Sequence, residues 1–124
     1  MLITTTDSIE GHPIEQYLGL VTGEAVFGIS FLADIKAGFK DLVGGRVESY
    51  EKELETAKNN AMAEMIKEAE ILGAHAVVGC DLDYMEFMGK FFMVVMNGTA
   101  VRLKGFTDKT LDKNFVMPVD QKTD

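Results

Sequence analysis

The stretch SYEKELETAKNNAMAEMIKEAEIL, Ser49–Leu72, decides the fold. Tyr50, Leu54, Ala57, Ala61, Met65, Ala69 and Leu72 recur every three or four residues, and Met62 and Ile66 widen the same stripe. That period lines one face of an α-helix with apolar side chains. Glu51, Lys52, Glu55, Lys58, Lys67, Glu68 and Glu70 take the other faces. Ser49 is suited to the N-cap, and Gly73 stands where a left-handed residue closes a helix. A single long amphipathic helix must lay its stripe on something, and the flanking sequence supplies strands.

Downstream, Ala76–Met88 alternates: Val78, Cys80, Leu82 and Tyr84 on one side, Gly79, Asp81 and Asp83 on the other. Gly89-Lys90 fits a two-residue hairpin turn in which glycine comes first. The return strand, Phe91–Leu103, is apolar on both sides, with Phe91, Met93, Val95, Val101 and Leu103 facing one way and Phe92, Val94 and Met96 the other. One helix covers one face of a small sheet, so a strand apolar on both faces needs a second cover. Loops or a further short helix would serve. A subunit interface would serve better, because methionine and phenylalanine are enriched at interfaces.

Upstream, residues 2–4 read as a short strand and Thr5–Pro13 as a turn. Ile14–Thr22 reads as a strand with Ile14, Leu18 and Leu20 opposed to Glu15, Tyr17 and Val21, and Glu24–Ile29 as a second one after Gly23. Asp34–Val43, with Ile35, Phe39, Leu42 and Val43 at helical spacing, reads as a short helix stopped by Gly44-Gly45. The expected class is therefore α+β: a small antiparallel sheet with one long helix packed on it, plus short extra strands and a short helix. Residues 1–103 form one domain. Residues 104–124 are polar and aperiodic and read as a flexible tail in which Phe115, Val116 and Met117 suit docking on a neighbour.

The 124 residues are 47% hydrophobic and 26% charged, with a formal net charge of −8. A chain of that length buries roughly two thirds of its unfolded surface without cross-links. The acidic balance opposes binding to nucleic-acid phosphates or an anionic membrane. The longest apolar run, Phe91–Met96, is far below the ~20 residues of a membrane span. A single cysteine and no basic leader point to a reducing, cytoplasmic setting.

Cys80 is the sole thiol, a soft metal ligand or nucleophile when ionised and a small hydrophobe when buried. His75 precedes it by five residues. Strand geometry, at about 3.3 Å per residue, keeps the two apart within one protomer, so they share an ion only across a subunit boundary. Otherwise His75 is a capping or solvent-facing loop residue. Asp81 and Asp83 share a strand face and suit a hard cation or simple solvation. Met85, Met88, Met93 and Met96 flank the hairpin as copper(I) donors or adaptable filler. Arg46 beside Gly44-Gly45 suits an anion at exposed backbone N–H groups, or an interface salt bridge. His12 is isolated before Pro13. No zinc-ligand spacing, nucleotide-binding glycine pattern or nucleophile elbow occurs.

Gly19-Leu20-Val21-Thr22-Gly23-Glu24, Gly44-Gly45-Arg46, Tyr50-Glu51, Leu72-Gly73-Ala74-His75-Ala76-Val77-Val78-Gly79 and Gly98-Thr99-Ala100-Val101 stand in an order that resembles the YbjQ-like family over roughly residues 1–103. The resemblance implies a β-α-β-β core and a ring-like homo-oligomer, a pentamer or decamer, in a bacterial and archaeal family described as heavy-metal-binding. It brings no catalytic or ligand residues with it. The expectation is a homo-oligomeric binding protein, not an enzyme, holding a heavy-metal ion, metalloid or small ligand at subunit boundaries with Cys80 and His75 as candidate metal ligands. A protein-interaction scaffold and an enzyme with a composite intersubunit site are the alternatives.

Overall fold

The computed structural model of the chain describes residues 1–28, 45–87 and 91–106. Its elements are β1 (Leu2–Ile3), β2 (Ile14–Gly28), α1 (Gly45–Ile71), β3 (Ala76–Phe87) and β4 (Phe91–Leu103). The four strands form one sheet in the order β1-β3-β4-β2. β4 runs antiparallel to both of its neighbours, and β1 pairs in parallel with β3. The sheet is thus mixed, not purely antiparallel. The reason is topological: β1 and β2 lie at opposite edges, so the chain between them crosses the sheet and β1 ends up aligned with β3.

α1 starts at Gly45, four residues before the expected cap, so Ser49 lies inside the helix. Its far end follows the sequence. Gly73 has φ +81°. The Ala74 N–H donates to the Ala69 carbonyl at 3.0 Å, and the Gly73 N–H to the Glu70 carbonyl at 2.9 Å. This nested pair satisfies the last helical carbonyls, and a left-handed residue between them is cheapest as glycine. The Arg102 guanidinium adds a hydrogen bond to the Gly73 carbonyl.

The helical stripe does what its period requires. Ala57, Ala61, Met62, Met65, Ile66 and Ala69 are buried against Val21, Val77, Val94, Met96 and Ala100 of the sheet. Ile71 and Leu72 emerge from the end of the stripe and are exposed.

β2 is one strand, not two. Gly23 does not interrupt it; its register with β4 runs without a slip from Gly19 to Gly28. A Cβ at position 23 would overlap the Ala61 carbonyl oxygen and lie 2.7 Å from the Met65 nitrogen. Gly23 therefore marks the place where the backbone of α1 rests on the strand. Two carboxylates fasten the same contact. Glu68 accepts the Thr22 N–H at 2.9 Å, and Glu64 accepts the Glu24 N–H at 2.8 Å. Residues four apart on a helix rise about 6 Å and residues two apart on a strand about 6.6–6.8 Å. One spacing thus matches the other, and the outer edge of β2 is closed by its own helix.

Irregularities between Ile14 and Gln16 and between Tyr17 and Gly19 reset the alternation of β2. Val21 is consequently buried and Leu20 exposed, the reverse of the simple alternating pattern. β3 slips in the same way between Val78 and Asp81, where Gly79 takes φ +61°. Val78 and Cys80 therefore fall on opposite faces.

A second, smaller core lies on the face away from α1. Ala76, Val78, Val101, Leu103 and Phe106 pack there with Leu2 of β1, Ile9 of the crossing segment and Ile14 of β2. The Lys104 N–H bonds to the Pro13 carbonyl at 2.8 Å, and Phe106 is buried, so packing continues past Leu103. The short helix expected over Asp34–Val43, the Gly89-Lys90 turn, the segment after Phe106, Met88 and the Arg46 side chain lie outside what is described.

Candidate functional site

Among the described residues the sheet face opposite α1 is covered at one end only. Directly opposite residues of antiparallel strands share a face, so the registers give its rows. Leu20, Thr99 and Val78 form one row, Thr22, Asn97 and Asp81 the next, then Glu24, Val95 and Asp83, and finally Val26, Met93 and Met85. Phe91 lies beyond. The crossing segment covers the Val78 end. Leu20, at the β2 edge of the Val78 row, is nevertheless 73% exposed, and toward the other end Val26 is 56%, Met85 43% and Phe91 39% exposed. Val95 and Met93 between them are half-buried. This is an apolar surface crossed by two rows that carry carboxylates. Asp81 and Asp83 face the same side, as their spacing requires. A hydrogen bond that the protonated Asp83 donates to the Asp81 carboxylate, and then the charge beside it, raise the Asp83 carboxyl above its ordinary value.

Cys80 is not on this face. Its side chain packs with the α1-side core, and the Sγ donates weakly to the Val77 carbonyl at 3.7 Å. A Cβ on Gly98 would come within 2.9 Å of that sulfur, so the glycine leaves room for the thiol. Burial pushes the thiol up to about 11, partly offset by the Thr4 backbone contact. The thiol is therefore held in its protonated form at neutral pH, and only the thiolate is a strong soft-metal ligand or nucleophile.

His75 lies just before β3 and is 4% exposed. Its Nδ1 accepts the Leu103 backbone N–H at 2.8 Å, and the His75 backbone N–H donates to the Val101 carbonyl at 2.8 Å. Its ring packs on Phe106 at 5.4 Å between centroids, and His12 meets Phe106 edge-on at 5.0 Å. His75 is thus a buried acceptor in the small core, while Cys80 belongs to the large one. The structure does not bring the two together within a protomer. Among the described residues no group of three or more His, Cys, Asp or Glu side chains is arranged to hold a metal ion. The described hairpin methionines divide as well: Met96 is buried under α1, whereas Met85 and Met93 are direct cross-strand neighbours on the open face.

A family model described as "Putative heavy-metal-binding" matches residues 1–104. The chain belongs to the YbjQ-like family. A relative named UPF0145 protein from Anoxybacillus flavithermus is 46% identical over 104 residues, covering 84% of this chain and 99% of that one. One of the same name from Bifidobacterium longum subsp. infantis is 47% identical over 106 residues, covering 83% and 96%. A crystal structure of a protein of unknown function from Pediococcus pentosaceus, assigned to the DUF74 family, superposes with a TM-score of 0.56 at 20% identity. It covers 83% of this chain and 97% of that one, a likeness of fold. Among the described residues no helix of this YbjQ-like chain is long and apolar enough to cross a membrane.

Proposed function

We propose that this YbjQ-like protein is a cytoplasmic, homo-oligomeric binding protein whose subunits meet through the open sheet face and hold a heavy-metal ion at the boundary. The assembly is a ring, five- or tenfold, and the protein is not an enzyme. The observation that carries the reading is the apolar surface formed by Leu20, Val26, Val95, Met85 and Met93, which no described element covers. Exposed apolar surface of this kind marks association sites. The metal half is supported by the description of the family and by soft donor atoms in the chain. Cys80 and His75 lie off that face, in different cores, and enter as ligands only where a neighbouring subunit reaches them, each at a cost: the thiol must ionise, and His75 must give up its bond to Leu103.

Charge placed on the open face tests the assembly. Leu20→Glu and Val26→Glu alter side chains that are exposed in one protomer, so the fold should persist by circular dichroism. Light scattering after gel filtration should give a multiple of the 13.6 kDa chain for the wild type and the single-chain mass for the variants. A wild-type monomer, or variants that keep the wild-type mass, would refute the interface. Metal content of the eluted oligomer, measured with Cys80→Ser and His75→Ala alongside, tests the ligands.

A further inference from the structure

We infer that Met85 and Met93 form a thioether seat for a soft d10 monovalent cation, copper(I) or its analogue silver(I), on the open sheet face. The inference rests on the reading of that face as the place where metal is held, and it names the donors and the class of ion.

Met85 and Met93 are paired residue to residue across β3 and β4. Directly opposite Cβ atoms in an antiparallel pair lie about 4.5–5.5 Å apart. A metal–sulfur bond is about 2.3 Å in thiolate sites, so two sulfurs on one ion stand no more than about 4.6 Å apart. Two flexible thioethers rooted at that separation reach a shared ion without moving the backbone. Thioether sulfur selects soft ions such as copper(I) over zinc, magnesium or calcium.

The placement separates this pair from the other described methionines. Met62, Met65 and Met96 are buried in the core under α1, and Met1 packs against it. Met85 is substantially exposed. Exposed strand positions favour β-branched and aromatic residues, and Val26 in the same row is one. Two neighbouring unbranched thioethers there supply sulfur where a branched hydrocarbon would pair better. Asp83, two residues before Met85, places a carboxylate in the next row, which favours a cation. The competing explanation is methionine as adaptable interface filler, and leucine, similar in volume but without sulfur, discriminates between them.

The test uses the full chain with Cys80→Ser, which removes the thiol, and silver(I) nitrate as probe. Methionine methyl groups are labelled with carbon-13, and native mass is recorded on the same samples. Met85→Leu and Met93→Leu, made singly, assign the two signals. The expected result is that both ε-methyl signals shift together on silver addition and saturate at one ion per pair. The double leucine variant should bind about tenfold or more weakly, with the fold and the oligomeric mass unchanged. If other methionines shift, if none does, or if the double variant binds as tightly, the seat is refuted, and the oligomer reading stands or falls on the mass alone. A monomer in which both signals shift would refute the assembly and retain the seat. The methyl spectrum reads both sulfurs before either is replaced, so poor folding of a leucine variant does not block the test.

Discussion

Gly23→Ala should damage this protein far more than a methyl group on an edge strand ordinarily would. The added Cβ meets backbone atoms only: the Ala61 carbonyl, and the Met65 nitrogen at 2.7 Å, where ordinary contact begins at 3.4 Å. No side-chain rotation relieves the overlap, so α1 must retreat by about 1 Å or more. Overpacking of this kind costs about 1–3 kcal/mol. The retreat also stretches the 2.9 Å Glu68–Thr22 and 2.8 Å Glu64–Glu24 bonds past useful length. Charge-assisted bonds contribute about 1.5–3 kcal/mol each when well shielded, and less at this exposed edge. The sum is about 3–5 kcal/mol, a large part of a typical stability of 5–15 kcal/mol. In urea denaturation, a slope of about 1–3 kcal/mol/M makes this a fall of about 1–5 M in the midpoint with the slope unchanged. A midpoint within about 0.3 M of wild type would show that the helix does not rest on Gly23 as described.

Three other expectations follow from single contacts. His75→Ala leaves the Leu103 N–H without its buried acceptor and should cost about 1–3 kcal/mol, whereas His75→Asn, whose side-chain oxygen can replace Nδ1, should recover part of it; equal losses in the two variants would count against the acceptor role. The Cys80 thiol is raised from 9.0 to about 11 in the folded protein, so its contribution to stability is complete below pH 9 and is lost as pH rises through 11. The stability difference between wild type and Cys80→Ala should shrink across that window, and a constant difference would contradict the burial of the thiol. Asp83 is also raised, by Asp81, so its ionisation opposes folding once pH exceeds the ordinary carboxylate range. Asp83→Asn should raise the melting temperature at pH 7 and lose that advantage near pH 3; an unchanged melting temperature at pH 7 would argue against the pairing.

The long helix and the final hairpin were legible because their signals are periodic. The spacing from Leu54 to Ala69 and the alternation of Phe91 to Met96 each survive intact in the structure. Both faces of β4 being apolar announced that the sheet needed a second cover. What the sequence concealed depends on backbone events. Gly23 reads as a break, yet it lies in mid-strand because a helix from distant sequence passes over it. Gly79 reads as one more alternating residue, yet its positive φ inserts a slip that separates Val78 from Cys80. A two-residue β1 is too short to reveal its direction, so the parallel pairing was invisible. His75 read as a metal ligand or as a capping or solvent-facing loop residue, and only tertiary packing makes it the buried acceptor for Leu103. Alternation alone sets Met93 and Met96 on opposite faces, but the pairing of Met85 with Met93 is a matter of hairpin register.

Native mass spectrometry of freshly purified, untagged protein, before and after chelation, tests the central claim most directly. The account predicts a five- or tenfold multiple of the chain mass carrying an excess that the chelator removes. A bare monomer, or a ring with no removable excess, would contradict it, the first at the interface and the second at the metal.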